Sequence, residues 1–131
     1  MQSGRLDAVL PRHGDWGPAY VIQGPSSDIG MLTLRPGDEM PNHIHHYCDE
    51  SFIVLEGRAT LWVDCANAVT LTPGDVYRCV PNEMHYFTND GEQVFRMVFI
   101  KSPASAGDTV NLPWTPGAPA PQVPAPSTTS N

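Results

Sequence analysis

In the stretch Gly37-Asp-Glu-Met-Pro-Asn-His43-Ile-His45-His-Tyr-Cys-Asp-Glu50-Ser-Phe-Ile-Val-Leu-Glu-Gly57, His43 and His45 stand two residues apart. On a β-strand alternate side chains share a face, so the two imidazoles project into one space, a geometry suited to a divalent transition metal. Glu50 opens the next β-like run, and a short turn after His46 brings its carboxylate back beside the two rings. A second stretch, Gly74-Asp-Val-Tyr-Arg-Cys-Val-Pro-Asn-Glu-Met-His85-Tyr-Phe-Thr-Asn89, sets His85 just past a Pro81-Asn82 turn, where it offers a third imidazole. His46 follows His45 directly, so on a continuing strand it points to the opposite face and reads as a surface residue.

Outward from this stretch the chain keeps one cadence. The runs Tyr20–Gln23, Ile29–Arg35, Ser51–Glu56, Ala59–Asp64, Ala68–Leu71, Val76–Val80, His85–Thr88 and Val94–Ile100 are short and rich in β-branched, aromatic and aliphatic residues. Gly, Pro, Asn and Asp punctuate them. Runs of strand length with turn signals at this spacing predict an all-β sandwich or barrel. No window between Ile29 and Ile100 carries apolar residues at helical spacing.

Together the two stretches resemble the cupin superfamily. The first family motif is Gly, five residues, His-x-His, three or four residues, Glu, six residues, Gly, and Gly37, His43, His45, Glu50 and Gly57 follow it throughout. The second is Gly, five residues, Pro-x-Gly, two residues, His, three residues, Asn. Gly74, His85 and Asn89 fit it, but Val80 stands at the usual Pro and Asn82 at the usual Gly. Asn tolerates the left-handed backbone that this turn requires. The resemblance spans roughly Tyr20 to Lys101. It implies a double-stranded β-helix, the jelly-roll barrel of small RmlC-like single-cupin proteins, and a homodimer, since pairing would cover exposed sheet edges. It also implies that His43, His45, Glu50 and His85 hold one divalent transition metal: Fe, Mn, Ni, Cu or Zn.

Counting by two from Glu50 puts Phe52 and Val54 on the metal-facing side, and from His85 it puts Phe87 and Asn89 there. With Tyr77 these make an apolar, partly aromatic candidate pocket for a small-molecule substrate. Tyr47, Tyr77 and Tyr86 are candidate proton donors; Arg35, Arg78 and Arg96 are candidate carboxylate clamps. Tyr77 and Arg78 have opposite parity, so only one of them faces inward. Three functions follow from the resemblance. One is a dioxygenase acting on an enol, diketone or catechol-like compound. The second is a non-oxidative isomerase, cyclase or lyase, and the third a ligand-binding cupin without turnover. Small cupins that cleave a sulfonium propionate place a Tyr two residues after the Glu, where this chain has Phe52, which weighs against that lyase chemistry.

Composition narrows the setting. The 131 residues suit one domain, read as an N-terminal arm over 1–19, a barrel over 20–112 and a Pro-rich tail over 113–131. Seven of the 14 prolines lie beyond Lys101, and the last dozen residues carry too little apolar surface to fold independently, so a disordered Pro/Ala-rich tail is expected, with Trp114 anchoring its near end. A net charge of −7 opposes binding to nucleic acid or to anionic lipid. No apolar run approaches the roughly 18 residues of a membrane span, and the N-terminus lacks a secretory h-region. Cys48, Cys65 and Cys79 form an odd set without C-x-x-C spacing, so free, inert thiols in a reducing cytoplasm are expected. The single lysine, Lys101, falls outside both motifs.

Overall fold

The computed structural model describes residues 1–104 and 106–126. In chain order its strands are β1 (Gly17–Gln23), β2 (Asp28–Leu34), β3 (Glu39–His45), β4 (Asp49–Glu56), β5 (Ala59–Val63), β6 (Asn67–Leu71), β7 (Val76–Cys79), β8 (His85–Thr88), β9 (Phe95–Ser102) and β10 (Thr109–Asn111). Among the described residues there is no helix, and so none long and apolar enough to cross a membrane. The strands form two five-stranded sheets, β1-β2-β9-β4-β7 and β10-β3-β8-β5-β6, with every pairing antiparallel. This is the jelly-roll architecture expected above.

Alternation drives the packing. Along β5 and the first part of β9 every second residue is buried, so each strand gives one row of side chains to the interior and one to solvent. The inward rows meet in a single core that includes Leu34, Phe52, Leu61, Phe87, Phe95 and Met97. Two glycines are required by close approach. A Cβ on Gly57, whose φ is +76°, would lie 2.3 Å from the Val94 carbonyl oxygen, so the last residue of the first motif closes the β4–β5 corner against the chain leading into β9. On β2, a Cβ at Gly30 would lie 2.3 Å from the Phe99 ring and 2.4 Å from the Ala19 carbonyl oxygen. Its absence lets Tyr20 and Phe99, which flank Gly30 in the sheet, meet edge to face at 5.0 Å.

Most strands coincide with the runs read from the sequence to within a few residues. The barrel begins at Gly17 rather than at Tyr20, which shortens the arm to residues 1–16. β3 starts at Glu39, before the two histidines, and β10 was absent from the cadence altogether. Trp114 is buried, edge-on to both Trp62 and Tyr86 at 5.7 Å, and its indole N–H donates to the Ala118 carbonyl at 2.9 Å. That contact anchors the near end of the tail. From Thr115 to Pro126 the chain has no strand or helix; the remaining tail residues, 127–131, lie outside the described residues.

Candidate metal centre

β3 and β8 are neighbours in one sheet, and His43 is the direct cross-strand partner of His85. Side chains of such a pair lie on the same face, and the two rings stand 4.1 Å apart. His45, two residues further along β3, joins them at 5.1 Å from His43 and 5.4 Å from His85. The carboxylate comes from the opposite sheet: Glu50 at the start of β4 places Oε1 3.0 Å from His45 Nε2, 3.1 Å from His85 Nε2 and 3.9 Å from His43 Nε2. All four residues are buried, and one ligand atom from each lies within 4.8 Å of all the others.

Local irregularities aim these groups. The β3–β8 ladder shifts register between Met40 and His43, next to Pro41, which has no N–H to give a ladder. The Pro41 carbonyl accepts from His43 Nδ1 at 2.8 Å, and the Glu83 carbonyl accepts from His85 Nδ1 at 3.1 Å. His45 Nδ1 lies 3.3 Å from the Thr109 hydroxyl of β10, the strand that backs β3. A carbonyl only accepts, so the ring protons of His43 and His85 reside on Nδ1 and their Nε2 atoms keep a lone pair directed at the cluster. Burial and then the neighbouring His43 push the His85 imidazole down to about 4, so it is neutral near pH 7. Burial opposes charge on Glu50, and its carboxyl lies well below the usual range only where the imidazoles donate Nε2–H to it. With the His43 and His85 protons on Nδ1, the carboxylate instead faces their Nε2 lone pairs at 3.9 and 3.1 Å, which is repulsive unless a cation lies among them. Three nitrogens and one oxygen of this kind fit a borderline divalent transition metal.

The turn of the second motif forms despite its two departures. Asn82 adopts a φ of 68°, its N–H donates to the His45 carbonyl at 2.8 Å, and its side-chain oxygen lies 2.8 Å from His46 Nδ1. His46 thus braces that turn from outside the cluster. Between His45 and Glu50 the chain is held by Asp108, which accepts from the backbone N–H groups of His46, Tyr47 and Cys48 at 2.9–3.2 Å. Cys48 and Asp108 lie close to His45. The Asp108 oxygens are already committed to backbone, however, and burial followed by Asp108 raises the Cys48 thiol to about 12, so it remains an inert thiol.

A cavity of about 370 Å³ opens onto His43 and Glu50. Phe52 and Phe87 line it, together with Met40, Met97 and Phe99. Val54 and Tyr77, expected in the pocket, are not among its lining residues. Both face inward, but Val54 lies deeper along β4 within the core and Tyr77 packs against that core from β7. Residue parity gave the face correctly but not the depth. Asn89, also expected to face the metal, is spent on backbone: its amide donates to the carbonyls of Leu34 and Gln93 and accepts from Gly91 N–H. The three candidate arginine clamps are engaged elsewhere, Arg35 by Asp38 and Asp15, Arg96 by Glu56 and Arg78 by Ser51. Tyr47 is exposed, and the Tyr86 hydroxyl donates to Glu39.

Sequence reasoning missed the other side of the cavity. Arg12, His13 and Trp16 of the arm, Tyr20 of β1 and Lys101 of β9 all line it. His13 and Trp16 stack at 4.3 Å, and the arm is tied to β1 by Arg12 N–H donating to the Pro18 carbonyl. Only the cross-strand register of β9, which sets Lys101 opposite Glu50, signals that lysine's place.

Comparison with known proteins agrees with this geometry. A cupin domain model matches residues 30–101. Over 84 residues the chain is 37% identical to polyketide synthase CurC of Streptomyces cyaneus, covering 63% of this chain and 53% of that protein. Over 94 residues it is 34% identical to quercetin 2,3-dioxygenase of Bacillus subtilis, covering 69% of this chain and 27% of that protein. It is also 26% identical over 104 residues to the tetracenomycin polyketide synthase protein TcmJ of Streptomyces glaucescens, covering 75% and 69%. The chain thus spans about half the length of the first of these relatives and about a quarter of the second. Among solved structures, a Klebsiella pneumoniae protein with a double-stranded β-helix domain superposes with a TM-score of 0.75 at 22% identity, covering 85% of this chain and 96% of that one. KdgF from Halomonas does so with a TM-score of 0.62 at 18% identity, covering 74% and 94%. These two likenesses concern the fold.

Proposed function

The chain belongs to the cupin domain family, and from that premise we propose that it is a metal-dependent enzyme acting on a small organic compound with a flat or apolar portion, namely a dioxygenase for an enol, diketone or catechol-like substrate. The observation that carries this reading is the convergence of His43, His45 and His85 Nε2 on Glu50 Oε1, with the Nδ1 atoms of His43 and His85 held by backbone carbonyls. A divalent transition metal would be held by these four residues and would supply a Lewis-acidic centre for the substrate. The chain's own residues do the rest. Phe52, Phe87 and Met97 offer an apolar wall against which a planar substrate packs and from which water is excluded. Glu50 lowers the net charge of the centre. The relative named as a quercetin dioxygenase supports the oxidative reading.

A non-oxidative reading, in which a carbonyl is polarised and a proton moved, is favoured by the two relatives named as polyketide synthase proteins. Dioxygen consumption separates the two. Protein loaded with Fe(II) is incubated with a flavonol, a 1,3-diketone or a catechol in an oxygen-electrode cell. The oxidative reading expects uptake of dioxygen equal to substrate consumed. Turnover at an unchanged rate under argon would overturn it in favour of the isomerase, cyclase or lyase class.

A further inference from the structure

On the cavity wall facing the histidines, β9 carries the chain's single lysine. Lys101 is the direct cross-strand partner of Glu50, so its side chain emerges on the same face as the carboxylate. Its ammonium sits in an aromatic corner, 5.0 Å from the Tyr20 ring and 5.8 Å from the Phe99 ring, and donates to the Tyr20 hydroxyl. Gly30, lying between Tyr20 and Phe99 without a side chain, makes that corner possible.

An ammonium has three N–H donors, and the Tyr20 hydroxyl is its one hydrogen-bond partner among the described residues. No carboxylate among the described residues lies within ion-pair distance of it. Glu50 exerts the largest negative potential on it, and that carboxylate is turned toward the imidazoles. Once Glu50 serves a cation, Lys101 is a half-buried positive charge that shares a cavity with the metal ligands, with donors unused and no counter-ion. Such a charge is costly unless an anion joins it.

We propose that Lys101, oriented by Tyr20, is the anion-recognising group of this cavity, and that the substrate is a planar compound bearing a carboxylate or an ionised enol or phenol oxygen that Lys101 receives. The proposal rests on the reading of Glu50 as a metal ligand and narrows the substrate to an anion. Lys101 and Tyr20 thereby set which end of the substrate points toward β9, while Phe52 and Phe99 take its flat face. The anion is recognised by a charge-assisted hydrogen bond, which adds directionality to the Coulomb attraction. Arg12 at the exposed rim of the same cavity adds positive potential on the path inward.

Isothermal titration of the full chain with 1-hydroxy-2-naphthoate and with uncharged 1-naphthol tests this, with metal content measured on the same samples. The wild type is expected to bind the naphthoate at least about tenfold more tightly than the naphthol, as a charge-assisted hydrogen bond implies. Lys101→Met should reduce that preference to within twofold at unchanged metal content, while Lys101→Arg should keep most of it. Absence of the preference in the wild type, or its survival in Lys101→Met, would overturn the proposal. So would loss of metal from Lys101→Met, because the lysine would then act through the metal ligands. If Lys101→Met does not fold, Tyr20→Phe decides: a weakened naphthoate affinity with unchanged naphthol affinity supports the proposal, and equal changes in both overturn it. A wild type without metal would sink the proposed function, whereas the comparison of the two naphthalenes would still decide the role of Lys101.

Discussion

The sheet containing β3 and β8 gives the barrel interior three imidazoles, His43, His45 and His85, whereas the sheet containing β4 and β9 gives it one carboxylate, one ammonium and the aromatic rings of Phe52 and Phe99. On the first wall two ligand rings are held through Nδ1 by backbone carbonyls and the third sits beside a threonine hydroxyl. On the second wall, Glu50 and Lys101 are placed by cross-strand register and by packing in an aromatic corner. The difference separates two tasks. A preorganised set of lone pairs suits a cation that stays, and a charged, half-buried wall with unused donors suits a ligand that comes and goes.

The largest effect is expected where the second wall reaches across to the first. Glu50→Ala removes the carboxylate on which the three Nε2 atoms converge. It should weaken metal binding by more than about a hundredfold, above the range for outer-shell partners, as read by competition with a chromophoric chelator. A change within threefold would separate the carboxylate from the centre. Phe52→Ala empties a fully buried ring position that meets Phe87 edge to face at 5.0 Å. It should cost about 3–5 kcal/mol in urea denaturation, and a loss below about 1 kcal/mol would show that the cavity wall is not part of the core.

The imidazole wall was legible because a period of two is the most direct statement a strand makes about its faces, and because Glu50 and His85 followed at the spacing of a known family. Even the Asn82 turn followed from a property of one side chain, its tolerance of positive φ. The opposite wall was not legible. Lys101 reaches Glu50 only through the pairing of β4 with β9, and Tyr20 reaches Lys101 only across β2, so neither contact leaves a mark at short range. β10 is three residues long, below what a hydrophobic pattern announces, yet it carries the Thr109 hydroxyl beside His45. The inward face of Val54 and Tyr77 was readable by parity, but their distance from the cavity was not.

Smaller effects sharpen the comparison further. Asp108→Ala frees three backbone N–H groups between His45 and Glu50 and should cost about 1–3 kcal/mol. Burial opposes the Asp108 charge, but those N–H donors outweigh it and hold its carboxyl below the ordinary 3.8. Its contribution is therefore fully present above that pH and fades as pH falls through the folded value. Denaturation curves of wild type and variant should be well separated at pH 6 and converge under acid. A separation that grows on acidification would contradict the assignment. The smallest change is expected at Tyr77→Phe, which keeps the packing against the core and removes only a hydroxyl from a residue that does not line the cavity. Metal content and naphthoate affinity should match the wild type within about twofold, the range of ordinary neutral substitutions, and a larger loss of either would return Tyr77 to the pocket.

Metal analysis of protein purified without chelator, beside the same analysis of His43→Ala, bears on the centre most directly. The four-residue cluster predicts close to one equivalent of a divalent transition metal in the wild type and a small fraction of that in the variant. Equal metal content in the two proteins, or none in the wild type after reconstitution with Fe(II), Mn(II), Ni(II), Cu(II) and Zn(II) in turn, would contradict it.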